Sequence, residues 1–400
     1  MLKRKIFVYL ICVVLAISVH LFCIGTSASG AGEKNAEQAL KTASPQQDIS
    51  GVTAKSFILV EMQTGKILYE RQADTVFRSL HFNKLMTLLL LCEKIQRGDI
   101  DLKDTFTVSN RANSCKDPQI WLEINEKISV DELVKAITVG NANDAAVTIA
   151  EGVSGSEQRF VENMNAKARS LGMGKTVYTD CTGTDPANVT TADDLSKLCT
   201  KLEKYEFLAP YLKTWLTTVR NGKAELVNNN TLVRTYGGVS GMKAFSSDKI
   251  GSCGCVTADK NGMKLCAVVF GCADKQKRDN DIKKLFKAAS EEFQTFVPKV
   301  PEKLLENIPV TGGEKLECEL ELETRPLVII KRGTSPQLKE VSQTSETLTA
   351  PVRKGQVCVR YTLEYNNSPV CTVNIVAKEN IEKMNWLLGV KKLIYNLLKL

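Results

Sequence analysis

Residues 78–91 read RSLHFNKLMTLLLL, and from Leu85 on the run is apolar on every face of a helix. Such a helix is stable in water only when other elements wrap it, so it must lie inside a layered domain. The expected span is from about His81 to Gln96. Lys84 falls in the first turn, with Ser79 and His81 just before it. Serine and lysine at the mouth of a buried helix suggest a nucleophile and its base. The spacing does not fit, because five positions put Ser79 about 140° round a helix from Lys84. One turn before the lysine stands His81.

The pattern on either side says what wraps this helix. KSFILVEMQTGKILYE, from Lys55, alternates apolar residues around TGK and predicts a β-hairpin. DELVKAITVGNANDAAVTIAEGV (131–153) predicts two helices interrupted at Gly140–Asn143. SEQRFVENMNAKARSLG predicts an amphipathic helix closed by Gly172. GSCGCVTADKNGMKLCAVVFG predicts two strands joined at Asn261–Gly262, a strong hairpin signal, and a closing helix is expected near 279–296. Strands at both ends with helices between them predict one α/β sheet built from both ends of the domain. Beyond VPKVPEKLLEN (297–307), short alternating runs such as ECELELE, VCVRYTLEY and CTVNIVA predict a small all-β domain reaching about Ala377.

The chain ends carry a different message. Lys3, Arg4 and Lys5 precede an apolar run from Ile6 to Ile24 and then small residues, the pattern of an export signal cleaved after Ala28. The run is also nearly long enough to span a bilayer, which leaves an uncleaved anchor as the alternative. Residues 29–50 are small and polar, a linker. In NIEKMNWLLGVKKLIYNLLKL (380–400), Asn385, Gly389, Lys392, Asn396 and Lys399 share one narrow polar face of a helix. That amphipathicity predicts a helix lying in a membrane surface; packing on a partner domain is the alternative. Net charge is +8, but the basic residues are scattered apart from the ends, and no interleaved basic and aromatic patch of the nucleic-acid kind is present.

Thirteen cysteines include Cys12 and Cys23 within the export segment; no C-x-x-C pair occurs. Strand period places Cys253 and Cys255 on one face, with Cys266 and Cys272 following. The spacing fits free core thiols better than a zinc site, and no disulfide pairing follows from it.

The order of parts resembles the low-molecular-weight penicillin-binding proteins, the serine D-alanyl-D-alanine carboxypeptidases of the penicillin-binding-protein-5 type. KLMT at 84–87, NDAA at 143–146, GVSGMK at 238–243, NGMKLCAVVFG at 261–271 and APVRKGQ at 350–356 carry the resemblance. It implies an α/β (α+β) penicillin-binding, β-lactamase-like transpeptidase domain over 51–296. A small β-sandwich-like domain over 297–378 and a C-terminal amphipathic helix over 379–400 complete the implied architecture. It also implies the extracytoplasmic face of a bacterial membrane, peptidoglycan stem peptides or cell-wall enzymes as partners, and no cofactor or metal.

Family chemistry uses three clusters, S-x-x-K, S-x-N and K-T-G. The serine attacks the D-Ala–D-Ala carbonyl, the lysine takes its proton, and the second serine relays protons. The asparagine holds the substrate amide, and the K-T-G strand grips the terminal carboxylate. Matching KLMT places Lys84 on the lysine and His81 at the nucleophile. GNANDAA places Asn143 on the asparagine and Asn141 at the second serine. GVSGMKAFS places Lys243 on the third-cluster lysine, with Ala244 for threonine and Phe245 for glycine, whose ring is expected over the strand edge. The implied function is that of a cell-envelope member of this family without hydrolase activity, acting by binding or scaffolding. The alternative is a carboxypeptidase trimming pentapeptides through an altered site, with His81 as nucleophile.

Overall fold

The computed structural model describes residues 49–334 and 337–386. Five antiparallel strands form the central sheet: β1 (Ser56–Glu61), β2 (Lys66–Arg71), β3 (Val239–Ser247), β4 (Gly251–Lys260) and β5 (Met263–Cys272). Their order is β2-β1-β5-β4-β3, so the first hairpin of the domain pairs with the last strand, Ser56 opposite Phe270. β1 is buried along its whole length, as a strand covered on both faces must be. The β4–β5 turn has positive φ at both Asn261 and Gly262, the backbone an Asn-Gly hairpin requires.

Helices fill the interval. α1 (Asn83–Gln96) is buried over ten consecutive residues, Asn83 to Cys92, as its all-round apolar pattern demands. α2 (Val130–Thr138) and α3 (Asn143–Ser154) flank the interruption at 139–142. Ser129 caps α2: its Oγ accepts from the Glu132 backbone N–H and donates to the Glu132 carboxylate. α4 (Glu157–Ser170), capped by Ser156, and α5 (Ala192–Leu202), capped by Thr191, complete this layer. α6 (Lys275–Glu292) covers the other face of the sheet. Strand alternation divides the core accordingly. Ile58, Phe245, Cys255 and Val268 face α1–α5, while Phe57, Val256, Ala267 and Val269 face Ile282, Leu285 and Phe286 of α6.

The expected closing helix at 279–296 starts earlier, at Lys275, and its last four positions are extended. Phe293–Phe296 is a strand, pairing antiparallel with Val328–Lys331. β-branched Thr295 and the flanking phenylalanines favour that extended form. The β-rich part that follows is dominated by the long hairpin of Val357–Tyr365 and Ser368–Ala377, turned at Asn366–Asn367 with positive φ at both.

The C-terminal expectation needs correction at its start. Ile381 is fully buried and bridges to Val352, and Lys383 bridges to Gly313, so 380–383 extend the β-rich core instead of opening a helix. Burying Ile381 there is worth about 2 kcal/mol, which outweighs one more turn of helix. Residues 387–400, like the export segment and residues 29–48 of the linker, lie outside the described residues. Among the described residues, no helix is long and apolar enough to cross a membrane.

Candidate active site

His81 sits in a single 3-10 turn, Leu80–Phe82, leading into α1, and Lys84 in the first turn of α1 is fully buried. The Lys84 Nζ donates to the Thr182 carbonyl at 2.8 Å and lies 3.5 Å from His81 Nδ1. Burial lowers the Lys84 ammonium to about 8. Burial, with the Lys84 and Lys243 charges beside it, lowers the His81 imidazole to about 3, so it is neutral at physiological pH.

β3 and the α2–α3 connection bring a second lysine to the same place. Lys243 is 2 % exposed; its Nζ donates to the Ile137 carbonyl at 2.8 Å and to Asn141 Oδ1 at 2.5 Å. Asn141 occupies a left-handed conformation with φ 57°, which asparagine tolerates better than most residues. Burial, then the Lys84 charge, pushes Lys243 well below its ordinary range. The two lysines therefore share one electrostatic environment, and His81 lies within it.

Asn143 heads α3, and its Nδ2 donates to the carbonyls of Lys116 and Asp117 at 2.8 and 3.2 Å. Its Oδ1 is buried without a hydrogen-bond partner among the described residues. Beside it, the Asp144 carboxylate accepts from the Ile120 and Leu122 backbone N–H groups, fixing the loop at 117–122. Asn141, and not Asn143, is thus the amide that holds a lysine, and the lysine it holds is Lys243.

Ala244 is 1 % exposed and points away from this cluster, opposite Gly254 on the α6 side. Phe245 does not project over the strand edge as expected. Two positions along the strand from Lys243, it turns the same way, into the helical layer, and is 3 % exposed. Its ring lies edge-on to His81 (5.1 Å, 76°) and to Phe82 (4.8 Å, 63°). Ser79 is excluded as a substitute nucleophile: it precedes the turn, is buried, and donates its hydroxyl to Asn83 Oδ1.

One wall of the site was not singled out from the sequence. Residues 180–185, DCTGTD, wrap the Asp180 carboxylate, which accepts from the backbone N–H groups of Thr182, Gly183 and Asp185. This wrapped turn supplies the carbonyls that receive Asn83, Thr87 and Lys84. Gly183 must be glycine: φ is +87°, and a Cβ there would lie 1.8 Å from the Leu80 carbonyl oxygen. The signal was the density of Asp, Thr and Gly, which reads as a turn but not as a lysine's acceptor.

Residues 40–274 match the profile of the D-alanyl-D-alanine carboxypeptidases. The chain belongs to that family. Residues 293–383 match the C-terminal domain of penicillin-binding protein 5. The D-alanyl-D-alanine carboxypeptidase DacF of Bacillus subtilis is 30% identical over 344 residues, covering 85% of this chain and 88% of the relative. DacC of Escherichia coli is 28% identical over 343 residues, covering 83% and 85%. The fold is that of penicillin binding protein 5 from Haemophilus influenzae, with TM-score 0.69 at 24% identity over 85% of this chain and 99% of that one. In this carboxypeptidase-family chain the polar groups of the cluster are almost all bonded to one another or to backbone. Lys84, Asn141, Asn143, Lys243 and Phe245 are each no more than 3 % exposed, and only His81 is half-buried.

Proposed function

We propose that this carboxypeptidase-family protein of peptidoglycan metabolism is not a hydrolase and acts by binding stem peptides or cell-wall enzymes. The observation that carries the reading is His81. It has no hydroxyl, yet it stands one turn before Lys84, where the family pattern places the serine that is acylated. The surroundings support it. Lys84 is engaged by a backbone carbonyl, Lys243 by Asn141, and the Phe245 ring lies against the imidazole. Asn141, Ala244 and Phe245 leave the proton relay and the carboxylate grip without their hydroxyls and glycine.

The test is intact-mass measurement of the purified chain after incubation with benzylpenicillin. No adduct is expected. A stoichiometric mass increase mapping to residues 78–87 would instead establish the alternative, an active carboxypeptidase with His81 as nucleophile.

The part of the 380–400 segment that follows the β bridges, from residue 384 on, completes the proposal as a membrane-surface anchor of the exported chain. Lys392, near the middle of the segment, would cost about 2.5–3.5 kcal/mol in a spanning helix, whereas in the interface it reaches water. The sequence from residue 51 on should bind anionic liposomes, and the same protein ending at residue 386, which keeps the β bridges of Ile381 and Lys383, should not; equal binding of the two would remove the anchor.

A further inference from the structure

Away from the cleft, three thiols meet inside the core. Cys199 of α5, Cys255 of β4 and Cys266 of β5 have no exposed surface, and their sulfurs all lie within 4.8 Å of one another. Cys199 Sγ is 2.8 Å from Cys255 Sγ, and Cys255 Sγ is 3.9 Å from Cys266 Sγ. The strand register explains the second pair. Cys255 lies opposite Val268 and Cys266 opposite Thr257, so the two are diagonal neighbours on the face that α5 covers. Of the four cysteines that the sequence pattern groups, Cys255 and Cys266 belong to the trio, Cys253 and Cys272 do not, and Cys199 joins it from a helix far away in sequence.

Two chemistries fit a thiol trio, and the geometry separates them. Two thiolates on one zinc ion, with bonds of about 2.3 Å in a tetrahedron, sit roughly 3.7 Å apart. Cys199 and Cys255 are much closer than that. Among the described residues no histidine, carboxylate or fourth cysteine joins the group. The ionisable groups that act on the three thiols are one another and Glu203, so an anionic metal–thiolate centre would be buried without a compensating cation. A disulfide is neutral and needs none.

We infer that Cys199 and Cys255 form a disulfide in the exported protein, with Cys266 remaining as a buried free thiol. Each cysteine loses a proton and the pair loses two electrons. A protein or small-molecule disulfide takes up both and leaves as two thiols. The exchange precedes closure of the core, because the folded protein leaves none of the three sulfurs accessible. The link spans 56 residues of chain and ties α5 to the middle of the sheet. Cys255 is the cross-strand partner of Lys243, so the cross-link also holds the strand beside the cleft. The inference does not depend on whether the cleft is active.

The experiment uses the full chain, secreted and purified without reductant, then alkylated after denaturation and digested. The expected product is a single linked peptide pair containing Cys199 and Cys255, with intact mass two hydrogens below that of the reduced chain. Cys199→Ala should lower Tm by on the order of 10 °C, given the loop closed. Cys266→Ala, which also removes a buried sulfur, should keep the link and most of the Tm. Alkylation of all three cysteines, a link through Cys266, or retention of one equivalent of zinc or copper in native mass spectrometry would each overturn it.

Discussion

The two faces of the central sheet bury charge in different ways. On the α6 side, Arg278 is paired with Asp279 at 2.7 Å, and the Asp281 carboxylate accepts from the Thr53 and Ala54 backbone N–H groups. Each of these two buried charges has a charged or multiple-donor partner. On the helical side, Lys84 and Lys243 are equally buried, but their acceptors are backbone carbonyls and one neutral amide. Both are held below the ordinary lysine range, as burial without a contacting carboxylate requires. A face that only holds the fold would not place two amines this way, since apolar side chains would do it at less cost. The helical face carries this polar layout at the positions where the family pattern has its three clusters.

That contrast is broken or upheld most clearly by one substitution on each face. Phe286→Ala, on the α6 side, should cost about 3–5 kcal/mol, the range for emptying a buried aromatic position. Lys243→Met should cost no more than about 1 kcal/mol, because the lost hydrogen bonds are offset by removing a desolvated amine. Urea denaturation of both variants measures the two values. A loss of 3 kcal/mol or more at Lys243 would make the lysines structural, and the difference between the faces would disappear.

Much of this contrast was readable beforehand. The all-round apolar run after Lys84 required a wrapped helix, and the hairpins at both ends of the domain implied one sheet. The side on which Phe245 falls was not read correctly. Alternation puts it with Lys243, but only the packed structure shows that this face is the interior and not the open edge. Nor did the sequence indicate that DCTGTD would supply the Lys84 acceptor, since a backbone carbonyl leaves no trace in residue type. The start of the last segment was misread because Ile381 suits a helix's apolar face and a β core equally well.

A second prediction asks whether the polar layout can be returned to chemistry. His81→Ser alone should release no detectable D-alanine from a pentapeptide, because residues acting as a unit are far from additive. Adding Asn141→Ser, Ala244→Thr and Phe245→Gly is the combination expected to restore turnover. Phe245→Gly removes a ring packed on His81 and Phe82, so that protein should also lose about 3 kcal/mol of stability. Turnover by the single variant would show that the second and third clusters matter less than the nucleophile.

The smallest expected effect is a pH dependence confined to the helical face. In the unfolded chain His81 takes up a proton near 6.5, whereas in the folded protein burial and the two lysines hold it at about 3. Above 6.5 both states are neutral there and the contribution to stability is complete. As pH falls from 6.5 toward 3, the unfolded state gains a proton that the folded state refuses, and stability is lost. Half-burial screens the effect, leaving about 1 kcal/mol between neutral pH and pH 5. Lys84 acts in a second window. It releases its proton at about 8 when folded but at 10.5 when unfolded, so stability should rise with pH between those values. His81→Gln should flatten the acid limb and leave the alkaline rise intact, as read from urea midpoints across the range. An acid limb unchanged in that variant would place its origin in the carboxylates elsewhere, and the imidazole would then not share the lysines' environment.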